Sequence, residues 1–281
     1  MRLLNLGCGQ RFHDDWINID FSSENERIIS YNLLAGIPFG ENEFDMVYHS
    51  HLLEHFSKKQ GENFMKECYR VLKPGGIIRV VVPDLEQIVK EYINILKRIN
   101  NNDKQADYDY NWIMLELYDQ TVRNDSGGMM SEYISQPNLP NEQFLYNRLG
   151  QEARKIRKDY LDSITKEVPV IVKNRTLFSR VISAFNRDYF FEQLVKLLNR
   201  KKYEQNIHFQ SIGQFRESGE IHQWMYDKHS IKKLLQSIGF EEINQKTAFK
   251  SYLNNWKSYN LDTLLDESIR KPDSLFIEAI K

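Results

Sequence analysis

Arg2-Leu3-Leu4-Asn5-Leu6-Gly7-Cys8-Gly9 opens the chain with a short apolar run that stops on two glycines one residue apart. Residues 2–6 read as a buried strand and Gly7-Cys8-Gly9 as the turn that ends it. Glycines at such a turn let the backbone approach a ligand where side chains would collide. The turn lacks the third glycine of a dinucleotide fingerprint, so by itself it also fits a plain reversal. Trp16-Ile17-Asn18-Ile19-Asp20 follows as a second strand with an acid at its end. A carboxylate there can accept hydrogen bonds from ribose hydroxyls, although a helix cap or a surface charge would look the same.

Working outward, Phe44-Asp45-Met46-Val47-Tyr48 reads as a third strand, and residues 59–72 as a helix with Phe64, Cys68, Val71 and Leu72 at helical spacing. Lys73-Pro74-Gly75-Gly76 is expected to stop that helix. Ile77 to Val82 is a near-continuous apolar strand, as expected of a central parallel strand covered on both faces. Strands alternating with helices predict a doubly wound α/β sheet. At the far end, 230–237 reads as a helix capped by Gly239, and 240–245 and 274–280 as two strands. Between these halves the pattern turns helical. Leu85, Ile88, Val89, Tyr92, Ile93 and Leu96 mark one helix, residues 141 to about 166 one long helix running through Gly150, and 175–186 and 188–202 two more. Asn100-Asn101-Asn102-Asp103 reads as an exposed loop. The expected organisation is a core made of 1–85 and 222–281, with 86–221 a mainly helical insertion that caps it.

The 281 residues carry a net charge of −1, which gives no global electrostatic argument for nucleic acid or membrane. Two cysteines, Cys8 and Cys68, are no disulfide framework. The start has no signal-peptide pattern, and no apolar run approaches the ~20 residues of a spanning helix. The expected compartment is the cytoplasm.

The motifs become specific as an ordered set. Leu4-Asn5-Leu6-Gly7-Cys8-Gly9 and Trp16-Ile17-Asn18-Ile19-Asp20 come first, then Ile37-Pro38-Phe39 and Glu43-Phe44-Asp45. After them stand His49-Ser50-His51-Leu52-Leu53-Glu54-His55-Phe56, Arg70-Val71-Leu72-Lys73-Pro74-Gly75-Gly76 and Val82-Pro83-Asp84. Ser218-Gly219-Glu220-x-His222-x-Trp224-Met225-Tyr226-Asp227 continues the series beyond the insertion. The set resembles the S-adenosylmethionine (SAM)-dependent methyltransferases associated with surface-polysaccharide biosynthesis. The resemblance implies a Rossmann-like, mostly parallel sheet closed by an antiparallel C-terminal hairpin, with SAM as cofactor. It places Gly7 and Gly9, with Asn5 and Cys8 of the same motif, toward the methionine part of the cofactor. Asp20 would hold the ribose, Asn32 and Leu33 would meet the adenine, and His49 and Ser50 would border the sulfonium. Asn5 stands where the family carries an acid, and the stretch from Gly9 to Asp20 is short, so the first helix is expected to be reduced or irregular.

His51-Leu52-Leu53-Glu54-His55 also matches the H-x-x-E-H pattern of zinc peptidases. That alternative needs a helix, so that both imidazoles share a face, and a distant acidic ligand. The preferred reading makes the segment an active-site wall at the end of a parallel strand, with no metal expected. Glu54 and His55 would equally suit hydrogen bonds within the loop. Methyl transfer asks the protein mainly to align acceptor and methyl group, and a hydroxyl acceptor usually needs a base. The candidate catalytic residues are His51, His55, Asp84 and His222, among which the sequence does not choose.

Residues 170–203 hold Lys173, Arg175, Arg180, Arg187, Lys196, Arg200, Lys201 and Lys202 against Asp188 and Glu192. This run fits a solvated helix face, an anionic acceptor, or contact with a membrane surface. The expected activity is methylation of a small polar acceptor, neutral or anionic, at an oxygen of a saccharide or phosphorylated surface-glycan precursor. The non-enzymatic alternative is a SAM-binding partner subunit without catalysis.

Overall fold

The computed structural model describes residues 1–165 and 200–281. Its centre is a seven-stranded sheet in the order β3-β2-β1-β4-β5-β7-β6. The strands are β1 (Leu3–Leu6), β2 (Trp16–Asp20), β3 (Ile28–Ser30), β4 (Phe44–Ser50), β5 (Leu72–Pro83), β6 (Glu241–Gln245) and β7 (Ser274–Ile280). The first five are parallel; β7 runs antiparallel to both β5 and β6. This is a Rossmann-like, mostly parallel sheet, with the expected antiparallel ending. From β1 the chain builds outward to β2 and β3 and then returns to the other side for β4 and β5. The crevice of such a sheet opens at that switch point, beyond the carboxyl ends of β1 and β4.

One face of the sheet is covered by helices. In α1 (Lys58–Val71), Phe64, Met65, Cys68 and Val71 repeat at helical spacing, and all are buried against Leu4, Leu6, Val47 and Val80. Ser57 and Gln60 close its start with a reciprocal capping box. The expected stop at Lys73-Pro74-Gly75-Gly76 comes too late, because Leu72 is already extended and pairs with Phe44. The Pro-Gly-Gly segment is instead an irregularity inside β5, with Gly75 at φ +77°.

The other face carries the 28-residue connection 246–273 between β6 and β7. Leu253, Trp256 and Leu261 cover Leu3, Trp16, Met46, Tyr48 and Phe276. Arg79, fully buried in β5, fastens this connection down. It pairs with Asp262 and Glu278 at 2.7 Å each, donates to the carbonyls of Lys250 (3.0 Å) and Thr247 (2.8 Å), and lies over the Trp256 ring.

The described part of 86–221 is helical: α2 (Leu85–Asn100), α3 (Ala106–Val122), α4 (Gly128–Ile134), α5 (Glu142–Leu149), α6 (Gln151–Thr165) and α7 (Arg200–Arg216). The expected single helix over 141–166 is two. Gly150 breaks it at φ +61°, and a side chain there would meet Pro272 Cδ at 2.8 Å and the Arg270 carbonyl at 2.9 Å. Close packing against residues 270–272 requires glycine there, and Gln151, Glu152 and Lys155 at the start of α6 line a cavity beyond β1 and β4. The expected helix over 175–186, most of that over 188–202, and the basic run up to residue 199 lie outside the described residues. α8 (Lys228–Ile238) ends on Gly239 in the left-handed region, as its sequence requires.

Candidate active site

The glycine turn leaves β1 with Gly7 at φ +63° and Gly9 at φ +53°. A Cβ on Gly7 would lie 2.8 Å from Leu52 Cδ1, whereas one on Gly9 would meet nothing. The first glycine therefore admits close packing, and the second keeps the turn open to the crevice. Asp20 holds the turn in place. Its Oδ2 accepts from Gly9 N–H at 2.6 Å and its Oδ1 from Phe21 N–H at 2.8 Å. Asn5 explains its own departure from the family acid. Its amide nitrogen donates both to the Arg11 carbonyl and to Asn18 Oδ1, each at 3.0 Å, a task an ionised carboxylate cannot perform. These bonds hold the segment between β1 and β2, which forms turns and coil in place of a first helix.

A cavity of about 400 Å³ opens on this turn, lined by Asn5, Gly7, Cys8, Gly9, Tyr48, Ser50 and His51 from the sheet and by Gln151, Glu152, Lys155, Arg270 and Lys271 from above. Its size suits a small-molecule ligand. Ser50 Oγ accepts from Arg270 Nη2 at 2.9 Å, while the buried Arg270 Nε has no partner among the described residues. Burial pushes the Cys8 thiol up to about 12, so it stays protonated.

A second cavity, also about 400 Å³, adjoins the first across His51, Glu152 and Lys271, which line both. Glu54, His55, His222, Arg123, Glu220 and Asp273 form more of its wall. The segment His51-x-x-Glu54-His55 is not a helix. His51 takes φ +52°, and Leu53–His55 make one 3-10 turn. The two imidazoles therefore do not share a helical face, which removes the geometry the zinc-peptidase alternative needs. His51 Nε2 lies 2.8 Å from Ser274 Oγ and its Nδ1 3.3 Å from Glu54 Oε1. His55 and His222 meet edge to face, ring centroids 4.8 Å apart. Burial keeps these imidazoles neutral: His51 and His222 are held well below the usual histidine range, helped by nearby cations, and His55 is lowered as well. The same burial pushes Glu54 up to about 8 and Asp273 to about 6.

Asn5, Gly7, Cys8, Gly9 and Ser50 thus gather at the first cavity, with Asp20 bracing it from behind. His51, His55 and His222 gather at the second. Besides Asp20, four of the expected residues line neither cavity. His49 lies on the opposite face of β4, fully buried with its ring against Phe64, because its neighbours Tyr48 and Ser50 take the cavity side of the pleat. Asn32 caps a 3-10 turn containing the buried Leu33, and Leu33 faces a small groove with Gln60, Asn63 and Glu67. Asp84 caps α2, accepting from Glu86 and Gln87 N–H, and lines neither cavity. The sequence reading missed Arg123, Glu152, Arg270, Lys271 and Asp273. They come from the insertion and the β6–β7 connection, and no local motif marks them.

Residues 4–80 match the family described as methyltransferase domain. That span carries the glycine turn, Asp20 and the His51–His55 segment. An uncharacterized methyltransferase, sll0829 of Synechocystis sp., is 43% identical over 49 residues, 17% of this chain and 23% of that protein. The chain thus spans under a quarter of the length of this curated relative. Solved structures of a SAM-dependent methyltransferase from Archaeoglobus fulgidus (11% identity, TM-score 0.37, 100% of this chain and 86% of that chain) are similar. So is a SAM-dependent methyltransferase from Thermotoga maritima, described as a possible histamine N-methyltransferase (13% identity, TM-score 0.38, 100% and 82%). Among the described residues no helix is long and apolar enough to cross a membrane.

Proposed function

We propose that the chain is a SAM-dependent methyltransferase that methylates an oxygen of a small polar acceptor, a saccharide or phosphorylated surface-glycan precursor, in the cytoplasm. One observation carries the reading: the open glycine turn braced by Asp20 sits at the sheet's switch point and shares the wall residue His51 with a second, histidine-lined cavity. The residues present fit the cofactor. Gly9 leaves the turn free of side chain, Asp20 offers a carboxylate beside it, and Asn5, Ser50 and Arg270 supply polar groups around the cavity. When bound, SAM supplies an electrophilic methyl group on a sulfonium. The chain's own contribution is alignment and proton handling. His51 borders both cavities, so by position it is the group placed to take an acceptor's proton. The acceptor class follows from the family resemblance.

Calorimetric titration with S-adenosylhomocysteine tests the assignment. Asp20→Ala removes charge-assisted bonds that contribute ~1.5–3 kcal/mol each, so its affinity is expected to fall about tenfold or more. Equal affinities in the two proteins would sink the cofactor site.

A further inference from the structure

Glu54, His55 and His222 come from two segments far apart in sequence that the fold interlocks. The Glu54 carbonyl accepts from Gln223 N–H (2.8 Å) and Trp224 N–H (3.2 Å), and His222 N–H donates to the Gln120 carbonyl (2.8 Å). One potential ligand atom from each of the three side chains lies within 4.8 Å of the other two. The chemistry of each group points the same way. His55 Nδ1 is 3.2 Å from the Ile221 carbonyl, which only accepts, so Nδ1 donates and Nε2 keeps its lone pair. Donation from the second ring nitrogen to a carbonyl is the arrangement that orients a metal-bound histidine. Glu54 is 1% exposed; its Oε1 lies 3.3 Å from His51 Nδ1, but among the described residues neither carboxylate oxygen makes a well-aligned hydrogen bond. Such a group is costly to bury without a compensating partner. The nearby cations are already balanced: Arg123 by Glu220 (3.2 Å) and Lys271 by Glu152 (2.9 Å).

We propose that Glu54, His55 and His222 bind one divalent first-row transition ion of the zinc type, with its remaining coordination positions open to the second cavity. Two imidazoles and one carboxylate suit such an ion, and three protein ligands with an open position describe a site that also takes an oxygen of water or substrate. Bonds of ~2.0–2.2 Å put ligand atoms ~3–4 Å apart, so small side-chain rotations bring all three onto one centre. The site differs from the zinc-peptidase pattern, since His222 replaces His51 and no helix is involved. It also replaces the sequence-based expectation of no metal. It stands independently of the methyltransferase reading; with that reading, the ion would hold the acceptor oxygen.

The test uses the full chain without a histidine tag, stripped by chelation and titrated with Zn²⁺ in competition with a chromophoric chelator. One ion per chain is expected. Glu54→Gln and His222→Gln should each weaken binding about 100-fold or more, at or beyond the ~10–100-fold loss seen when only an outer partner of a ligand is removed. The exposed His229→Gln should bind like the native chain. No stoichiometric binding, or equal binding in all variants, overturns the site. X-ray absorption at the zinc edge of the loaded native protein needs no variant: two imidazoles are expected, and one or none overturns the proposal. Titration with S-adenosylhomocysteine separates the two readings, because Glu54→Gln should leave that affinity unchanged. A native chain that binds zinc but no S-adenosylhomocysteine would refute the proposed function and leave this site standing.

Discussion

Replacing His49 by leucine should remove most of one component of the protein's acid sensitivity. The ring is fully buried in β4, and neither nitrogen has a partner among the described residues. Burial moves its pKa from 6.5 down to about 3. Between those values the unfolded chain holds a proton that the folded chain refuses, so stability falls as pH drops below 6.5. The loss is complete near pH 3 and, at ~1.4 kcal/mol per pH unit, reaches about 5 kcal/mol. It amounts to about 2 kcal/mol at pH 5 and about 3 kcal/mol at pH 4.5. Leucine nearly conserves the volume and carries no proton. At pH 7.5 the variant loses an edge contact to Phe64 (ring centroids 5.2 Å apart) but also two unpartnered polar atoms, so its stability should lie close to that of the native chain. Glu54 and Asp273 titrate in both proteins and cancel in the comparison. Urea unfolding of both chains from pH 7.5 to 4.5 measures the difference. A difference that stays constant over that range would refute the argument that His49 is held neutral by burial.

Two further variants test the packing that positions the site. Asp262→Ala leaves the buried Arg79 short of a partner and also removes the acceptor of the Tyr48 hydroxyl (2.7 Å), so it should cost ~3–5 kcal/mol in urea unfolding; a loss below about 1 kcal/mol would mean that this ion pair does not hold the β6–β7 connection. Gly7→Ala adds left-handed strain of ~1–2 kcal/mol and a contact with Leu52, and should weaken S-adenosylhomocysteine binding, whereas Gly75→Ala, at φ +77° with open space, should cost stability alone; calorimetry showing equal affinities in the two variants would place Gly7 outside the binding turn.

Much of this protein was legible in its sequence because the signals are local. An apolar run ending on glycines, apolar residues at helical spacing from Phe64 to Val71, and a near-continuous apolar strand from Ile77 to Val82 each report burial of one segment against something apolar. Their alternation was enough to give the parallel sheet, and the paired motifs at Gly7–Gly9 and Asp20 were enough to locate the first cavity. Two errors were also local in kind. The end of α1 was read from Pro74 and the glycines, yet extended pairing of Leu72 with Phe44 ended the helix earlier. Gly150 was read as tolerated inside a helix, yet contact with Arg270 and Pro272 makes it a break.

By itself, then, the sequence determined most strands of the sheet and the helices that flank it, that a glycine turn and an acid lie at neighbouring strand ends, and that histidines cluster at and after the end of β4. Tertiary structure alone decided which of those side chains meet. His49 and Ser50 are adjacent in sequence but point to opposite faces, because register and pleat assign the face. Glu54, His55 and His222 meet because backbone hydrogen bonds join the end of β4 to the segment that leaves the insertion. Arg270, Lys271 and Asp273 reach the cavities because Arg79 and a buried aromatic layer pull the β6–β7 connection onto the sheet. Such placements depend on contacts between distant segments, and burial energy fixes those contacts only once the whole core has closed.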